Sequence, residues 1–374
     1  MTETGSSIVR TTHVGAGRIG QIPVRNLWLL MLYASDLFRS LHTDKVAIED
    51  NPDNIPDLVA EILCRNVERR LQRNLSFGYR HRQSVLSRVR GRIDLLHTER
   101  HRLLERGMVA CRYDELTVDT ARNCFVRSAL DELSRIVNRQ VLSHRCKSLS
   151  NCFKSMGVIG ECPRHSEVTV DRFGRHDIDD RPMVAAAHLA FNLAIPTELS
   201  GKRHLLLPDR DITWVRKLYE KGVAGFYATV LPKQEWIVDA GKFINWKIQS
   251  QSKGISKILP SMRTDITLTH VASTRRIIMD TKFNSIVTAG WYREETLRSG
   301  YIYQIYAYLR SQESEDDRLA NCAEGMLLHP CVGEMVNETV EIQGHKIRFA
   351  TVDLGADAGE IRAQLLNAIQ PQEL

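Results

Sequence analysis

Hydrophobic residues recur three or four positions apart along several stretches of the first half of the chain, which predicts amphipathic helices. These predicted helices cover residues 24–41, 56–75, 119–143 and 182–194. Between the second and the third, residues 84–95 alternate apolar side chains with Ser and Arg. This period of two indicates a β-ribbon, with Gly91 at a turn or bulge. We therefore expect an α+β region in the first half.

The second half has a different order of elements. Strands are predicted within residues 264–283, 325–332, 338–343 and 346–353, and helices at residues 212–230, 291–310 and 357–369. This order predicts an α/β fold for the C-terminal domain. Turn-forming residues accumulate in residues 196–211 and mark a boundary. We expect a flexible arm at residues 1–21, an N-terminal domain at 22–205 and a C-terminal domain at 206–374.

The composition is that of an ordinary globular protein, with 43% hydrophobic and 26% charged residues. The longest apolar run, Leu27–Ala34, has eight residues, whereas a membrane helix needs about 20. The first residues lack the apolar core of a signal peptide, and the eight cysteines show no paired spacing. We expect a cytoplasmic protein with reduced thiols and no membrane association.

Positive charge is concentrated in one segment. Residues 65–106 contain twelve Arg and four acidic residues, whereas the net charge of the whole chain is +6. Arg88, Arg90 and Arg92 lie in the predicted ribbon, and guanidinium groups bind phosphates or carboxylates in a planar fork. A nucleic-acid groove, an acidic partner protein and a solvated surface are the three interpretations that this pattern allows.

The chemically informative residues lie in the predicted hairpin at residues 264–283. Asp265 opens its first strand, while Asp280 and Lys282, two residues apart, project from the same side of the second. Burying two carboxylates at the end of an apolar hairpin is costly unless a cation joins them, and Mg²⁺ prefers such oxygen ligands. With a lysine near a metal-bound water, the set suits phosphodiester hydrolysis. The competing interpretation is a surface salt bridge, but the apolar run Ile277–Met279 favours a central strand.

This D-x14-D-x-K spacing is the PD-(D/E)xK nuclease signature, with Asp at both acidic positions. Gln304 and Tyr308 lie four residues apart on the following helix. A Q-x3-Y helix at this place resembles that of RecB-like nucleases, in which the Gln supports the active site. Glu220 lies on the first helix of the domain, where related nucleases often carry an acidic residue of the metal shell. A solvated helix residue is the alternative for Glu220.

Two other patterns are poor candidates for a site. Gly15–Gly20 matches the dinucleotide fingerprint GxGxxG, but Pro23 falls within the helix that the fingerprint requires. His and Cys residues cluster within residues 144–165 without the CxxC-type pairs of a zinc site. Neither pattern changes the nuclease interpretation.

Taken together, the ordered motifs of both halves resemble the McrC family, the nuclease subunits of McrBC modification-dependent restriction systems. The resemblance is carried by Ile22–Asn26, Tyr33–Ala34, Gly91–Asp94, Leu259–Pro260, Thr264–Thr267, Asp280–Lys282, Tyr303–Gln304 and Thr351–Gly355. It covers nearly the whole chain after the N-terminal arm. It implies a restriction-endonuclease-like C-terminal domain that cleaves DNA, with the N-terminal domain engaging a partner.

The resemblance also implies the partners and the roles of the site residues. The N-terminal domain would insert into a hexameric McrB-like AAA+ GTPase and stimulate its GTP hydrolysis, with Arg88, Arg90 and Arg92 contacting the motor in preference to DNA. The partner would recognise modified cytosine, and nuclease domains would pair to cut both strands of duplex DNA. Mg²⁺, or Mn²⁺ in its place, would be held by Asp265, Asp280, the Thr281 carbonyl and Glu220. Lys282 would activate water, supported by Gln304.

Two alternatives remain open at this point. The chain could act mainly as a regulatory subunit that stimulates the NTPase, with a weak or vestigial nuclease. It could also be a stand-alone RecB-like nuclease, which would cut DNA with Mg²⁺ and without any nucleotide.

Overall fold

In the part of the chain that it describes, the computed structural model combines helices with five β-sheets of two to six strands, which confirms the predicted α/β class. It describes residues 18–19, 22–35, 38, 52–163, 168, 180–201, 208–289, 295–331 and 335–372. The helices are α1 Val24–Ala34, α2 Ile55–Leu71, α3 Leu95–Arg100, α4 Ala121–Ile136, α5 Gln140–Ser155, α6 Arg181–Gly201, α7 Pro208–Val230, α8 Ser299–Gln312, α9 Arg318–Asn321 and α10 Ala358–Ala368.

The strands are mostly short outside one large sheet. They are β1 Arg18–Ile19, β2 Ile22–Pro23, β3 Gly78–Leu86, β4 Arg92–Ile93, β5 Val109–Thr117, β6 Trp236–Ala240, β7 Phe243–Ile244, β8 Met262–Arg263, β9 Ile266–His270, β10 Arg275–Thr281, β11 Val287–Ala289, β12 Glu295–Leu297, β13 Glu324–Cys331, β14 Asn337–Ile342 and β15 His345–Asp353.

The chain divides into two compact units. We call Pro56–Ala194 the helical unit, and Met1–Ile55 with Ile195–Leu374 the sheet unit.

The helical unit contains a three-stranded antiparallel sheet in the order β3-β5-β4. The predicted ribbon at residues 84–95 is therefore only partly correct. β3 and β4 do not pair with each other, because β5 lies between them and pairs with both. Gly91, with a φ of +69°, lies against β5, and a Cβ there would come within 2.5 Å of the Arg112 carbonyl oxygen. The glycine thus permits a close backbone approach rather than a hairpin turn.

The helix predicted at residues 119–143 is in fact two helices, α4 and α5. The chain breaks between them because the carboxylate of Asp57 accepts hydrogen bonds from the amides of Asn138 and Arg139, at 2.7 and 3.3 Å. These amides are therefore bonded to a side chain instead of to helical carbonyl groups. Capping by the Thr120 side chain, which accepts from the Asn123 amide, begins α4.

The sheet unit is built on a six-stranded mixed sheet in the order β14-β15-β13-β10-β9-β6. β10, β13 and β15 are parallel to one another, while the outer strands run antiparallel to their neighbours. Helix α8 packs its Ile305 and Leu309 side chains against Ile278 and Leu327 in one buried cluster. The run Ile277–Met279 is fully buried in a central strand, as its continuous apolar character predicted.

Helix α1 belongs to the sheet unit, although the sequence placed it in an N-terminal domain of residues 22–205. Asn26 donates hydrogen bonds from Nδ2 to the carbonyl oxygens of Leu354 and Ala356, at 2.8 and 2.9 Å. Gly225 of α7 lies so close to α1 that a Cβ would fall 1.9 Å from the Tyr33 carbonyl oxygen. Such long-range packing cannot be deduced from local periodicity. The boundary between the two units lies near residue 195 rather than at residue 205.

Several further elements depart from the expectations. The predicted arm at residues 1–21, with its GxGxxG match, lies outside the described residues except for Arg18 and Ile19, which pair as β1 with β2. Helix α8 begins at Ser299 rather than near residue 291, because a short hairpin of β11 and β12 precedes it. Among the described helices, none combines the length and the apolar character needed to span a membrane.

Candidate active site

The two aspartates of the predicted motif meet at one end of the central hairpin. Met279 pairs with Ile266 at the last register position of β9 and β10, so Asp265 and Asp280 come next on the two strands. Asp265 accepts hydrogen bonds at Oδ2 from both the amide and the hydroxyl of Thr281, at 2.7 and 2.9 Å. The hairpin pairing thus brings Asp265 to the strand end that carries Asp280.

Asp280 is almost completely buried, with 1% of its surface exposed. Burial, and secondarily the charge of Asp265, raise the pKa of Asp280 to about 6, although the Lys282 ammonium opposes this rise. Lys282 Nζ lies 2.5 Å from Asp280 Oδ2 in an ion pair. Beyond that pair, Oδ2 has no hydrogen-bond partner among the described residues. A buried carboxylate with this little compensation is a group that a cation would stabilise.

Lys282 is held by a chain of side-chain hydrogen bonds that begins on α8. Its Nζ donates to Gln304 Oε1 at 3.0 Å, and Gln304 Nε2 in turn donates to Tyr308 Oη at 2.7 Å. Lys282 is only 6% exposed, so these contacts keep a charged amine buried at one position. The structure therefore brings together the Gln, the Tyr and the Lys that the sequence motif named.

Tyr301 is a neighbour of the site that sequence reasoning missed. The Lys282 ammonium lies 5.0 Å from the centroid of its ring, and the Tyr301 hydroxyl accepts a hydrogen bond from Asn284 Nδ2 at 2.5 Å. An aromatic face at this distance stabilises a cation. The sequence could have indicated this neighbour, because Tyr301 lies three residues before Gln304 and seven before Tyr308, a spacing that places all three on one face of a helix.

Glu220, on α7, is half-buried. Burial is the main cause that raises the pKa of this carboxyl, and the charge of Asp265 is the second. Within the described part of the chain, however, no three His, Cys, Asp or Glu side chains are grouped closely enough to hold a metal ion by themselves.

The oxygen donors of the site fit a hard divalent cation. Asp265 and Asp280 supply carboxylates, and Thr281, between Asp280 and Lys282 in the chain, adds a main-chain carbonyl. Mg²⁺ is usually bound by one or two carboxylates together with water and substrate phosphate, so a pair of aspartates suffices. The raised pKa and the poorly partnered Oδ2 of Asp280 are consistent with such a site.

The predicted partner-binding arginines belong to the helical unit. Arg88, Arg90 and Arg92 are all exposed and lie in or beside the connection from β3 to β4. The Arg90 guanidinium stacks 4.2 Å from the centroid of the Tyr113 ring and lies 3.9 Å from Glu115. Exposed ion pairs of this kind contribute little to stability, so these cations remain available to a ligand.

Three comparisons relate the chain to restriction systems. The family model described as "McrBC 5-methylcytosine restriction system component" matches residues 6–174. A curated relative, the type IV methyl-directed restriction enzyme EcoKMcrBC of Escherichia coli K12, is 24% identical over 348 residues, which are 92% of this chain and 97% of the relative.

Two solved structures of Thermococcus gammatolerans are also similar. A half-complex of McrB AAA+ hexamers with bound McrC has 16% identity and a TM-score of 0.41, and covers 93% of this chain and 76% of that chain. The McrBC complex has 16% identity and a TM-score of 0.31, and covers 50% of this chain and 61% of that chain. The family model and the sequence relative together span both units, so the chain is similar to McrBC restriction-system components over most of its length.

Proposed function

We propose that the chain is the Mg²⁺-dependent DNA endonuclease subunit of a McrBC-like modification-dependent restriction complex, and that it stimulates the GTPase of an AAA+ partner. One observation carries the nuclease assignment. Asp280 and Lys282 form a buried ion pair that Gln304 extends, beside a second carboxylate on Asp265. A buried pair of this kind is weak as a device for stability, because desolvation offsets the attraction between the charges. A catalytic role explains its burial better.

Asp265, Asp280 and the Thr281 carbonyl would hold the cation, with Glu220 as a further acidic residue of the metal shell. A bound Mg²⁺ polarises the scissile phosphate and lowers the pKa of an attacking water. The other contributions to catalysis would come from side chains of this protein. Lys282 directs its ammonium towards the strand end that carries both aspartates, where it would orient the water and offset charge on the phosphate.

Gln304 is proposed to position Lys282. Its amide oxygen accepts from the ammonium, while its amide nitrogen is committed to Tyr308. The orientation of the amide is therefore set by two partners, and Lys282 keeps one rotamer. Pre-organisation of this kind lowers the barrier because no rearrangement is needed as charge develops.

The AAA+ partner is proposed from the family and from the arginine-rich connection. The matching family is described as a component of a restriction system, which implies that other subunits act with this chain. Arg88, Arg90 and Arg92 form an exposed cationic group that would contact acidic or nucleotide-site groups of a McrB-like motor. Recognition of the modified cytosine is assigned to that partner, and pairing of two nuclease domains would cut both strands of double-stranded DNA.

The experiment is plasmid cleavage by the reconstituted complex, with modified and unmodified DNA and with each component omitted in turn. We expect cleavage only when the partner, GTP, Mg²⁺ and the wild-type chain are all present. Asp280→Ala should abolish cleavage, whereas Asp316→Ala removes an exposed aspartate of the same unit and should not.

The same reactions separate the two rival functions. Cleavage by the chain alone with Mg²⁺ and no nucleotide would identify a stand-alone nuclease. GTPase stimulation without any cleavage would identify a regulatory subunit.

A further inference from the structure

The connection between β6 and β9 carries a concentration of positive charge beside the candidate active site. We define it as the basic loop, residues 241–263. It contains Lys242, Lys247, Lys253, Lys257 and Arg263 and has no acidic residue. The net charge of this short segment is therefore +5, close to the +6 of the entire chain.

Both ends of the basic loop are bonded to the residues around Asp265. The Gly241 amide donates to the Asp265 carbonyl oxygen at 2.8 Å, and the Thr264 amide donates to the Lys242 carbonyl oxygen at 3.0 Å. β7 and β8 pair as the base of the loop, with Phe243 opposite Arg263. Because β9 begins immediately after Asp265, the loop leaves the sheet at the end that carries Asp265 and Asp280.

The body of the loop is bonded to α8, the helix that carries Gln304. Lys247 donates from Nζ to the carbonyl oxygens of Gln312 and Glu313 at the end of that helix. Gln312 Nε2 donates back to the Asn245 carbonyl oxygen at 3.2 Å. These bonds hold the first half of the loop in one place relative to the site.

The tip of the loop presents cations that nothing in the described structure neutralises. Lys253 and Lys257 are exposed, and neither side-chain ammonium forms an ion pair or hydrogen bond with another described residue. By contrast, Lys242 lies 3.7 Å from the half-buried Asp239. Two unpaired ammonium groups on one short segment are suited to polyanion binding, because each can replace a counterion on a phosphate.

Aromatic rings lie among these cations. Phe243 is 66% exposed and Trp246 is 38% exposed. The Trp246 indole donates from Nε1 to the Pro260 carbonyl oxygen at 2.8 Å, which orients its ring. Arg263 lies 5.4 Å from the centroid of the Phe243 ring. Exposed aromatic side chains interleaved with cations are typical of surfaces that track nucleic-acid strands.

We propose that the basic loop is a DNA-binding surface, which grips the phosphate backbone through Lys253 and Lys257 and leads the strand to Asp265 and Asp280. The proposal rests on the nuclease function proposed above and names the surface by which that site receives its substrate. DNA is favoured over an acidic protein because the loop is joined directly to the carboxylate site, where a scissile phosphate must enter.

The test is binding of a fluorescently labelled duplex to the full chain in EDTA, which prevents metal-dependent cleavage, across a range of salt concentrations. Lys253→Glu with Lys257→Glu should weaken binding at least about tenfold near 100 mM salt. It should reduce the slope of log K against log salt by about two, since each phosphate contact contributes about 0.9. Lys253→Arg with Lys257→Arg should bind like the wild type.

The matched control is Lys147→Glu with Lys233→Glu, which makes the same charge change at two exposed lysines outside the loop. We expect this control to weaken binding less than about twofold. Equal losses in the loop variant and the control would overturn the proposal. So would a loop variant that binds DNA like the wild type but no longer associates with the AAA+ partner, because the loop would then be a protein interface.

Cleavage assays distinguish a failure of this inference from a failure of the proposed function. If Asp280→Ala abolishes cleavage while the loop variant binds and cuts like the wild type, only the loop assignment is wrong. If the loop variant loses DNA binding but Asp280→Ala still cuts, the loop assignment stands and the catalytic assignment is wrong.

Discussion

The carboxylate of Asp265 accepts two hydrogen bonds from Thr281, one from its amide and one from its hydroxyl. These bonds join the residue before β9 to the last residue of β10, next to the buried Asp280. The position of the first aspartate is therefore set by the residue between the second aspartate and the lysine. Thr281, the middle residue of the D-x-K motif, therefore positions Asp265 in this chain.

Removing the Thr281 hydroxyl should loosen the position of Asp265 without removing a ligand. Thr281→Val keeps the amide hydrogen bond and the β-branched shape, but it loses the hydroxyl donor. We expect the cleavage rate of the reconstituted complex to fall about tenfold, which corresponds to about 1.4 kcal/mol, the scale of one hydrogen bond to a charged group. Thr281→Ser should restore the rate. Equal rates for Thr281→Val and the wild type would contradict this role.

The ion pair of Asp280 and Lys282 should show strong coupling in stability. Lys282→Met leaves a buried carboxylate without its cation, and we expect the free energy of unfolding in EDTA at pH 8 to fall by about 3 kcal/mol. Adding Asp280→Asn to that variant should recover most of the loss, because the remaining amide is neutral. Denaturant unfolding of the two single variants and the double variant measures the coupling. Additive losses would show that the two side chains do not interact as described.

Divalent metal should stabilise the wild-type chain through the two aspartates. A ligand that binds only the folded state adds RT ln(1 + [L]/Kd) to the free energy of unfolding and therefore raises the unfolding midpoint. We expect Mg²⁺ or Mn²⁺ to raise Tm relative to EDTA in the wild type and in Asp316→Ala, but not in Asp280→Asn. A metal-dependent shift that persists in Asp280→Asn would place the metal elsewhere.

His329 should make stability fall in mild acid. Burial lowers the pKa of this histidine to about 4, while its Nδ1 donates to the Asn284 carbonyl oxygen at 2.9 Å. Below the ordinary pKa of about 6.5, the unfolded chain takes up a proton that the folded chain cannot, so the free energy of unfolding decreases as the pH falls from 6.5 towards 4. The expected contribution at pH 5 is about 2 kcal/mol. His329→Gln should remove that part of the pH dependence. If the free energy of unfolding varied with pH in the same way in the wild type and in His329→Gln, the role of His329 would be refuted.

The packing of α1 against α7 should be sensitive to a single methyl group. A Cβ at Gly225 would fall 1.9 Å from the Tyr33 carbonyl oxygen, so Gly225→Ala must displace backbone and should cost about 3 kcal/mol or more. Gly254→Ala is the matched control, because nothing lies within 4 Å of a Cβ at that position. Similar unfolding free energies for the two variants would argue against the close contact of α1 and α7.

The candidate site was accessible from the sequence because its residues are local to one hairpin and one helix. Periodicity located β9, β10 and α8, and the spacing of Asp265, Asp280 and Lys282 then required only that the two strands pair. The structure adds how the amide of Gln304 is oriented and that Tyr301 faces the lysine. Both depend on how α8 packs against the sheet, which side-chain spacing alone does not specify.

The errors arise where distant segments meet. β5 lies between β3 and β4, and nothing in residues 84–95 indicates a third strand there. Helix α1 packs against α7 and bonds to the carbonyl oxygens of Leu354 and Ala356, more than three hundred residues along the chain. Such contacts are tertiary, so local patterns place the helix correctly but assign it to the wrong unit.

The most direct test of the nuclease assignment is to follow DNA cleavage and GTP hydrolysis in the same reaction, with the AAA+ partner, modified plasmid and Mg²⁺. Wild type, Asp280→Ala and Asp316→Ala would be compared at equal complex concentration. We predict that Asp280→Ala loses cleavage while it retains full stimulation of GTP hydrolysis, and that Asp316→Ala behaves like the wild type. Undiminished cleavage by Asp280→Ala would contradict the assignment of the active site.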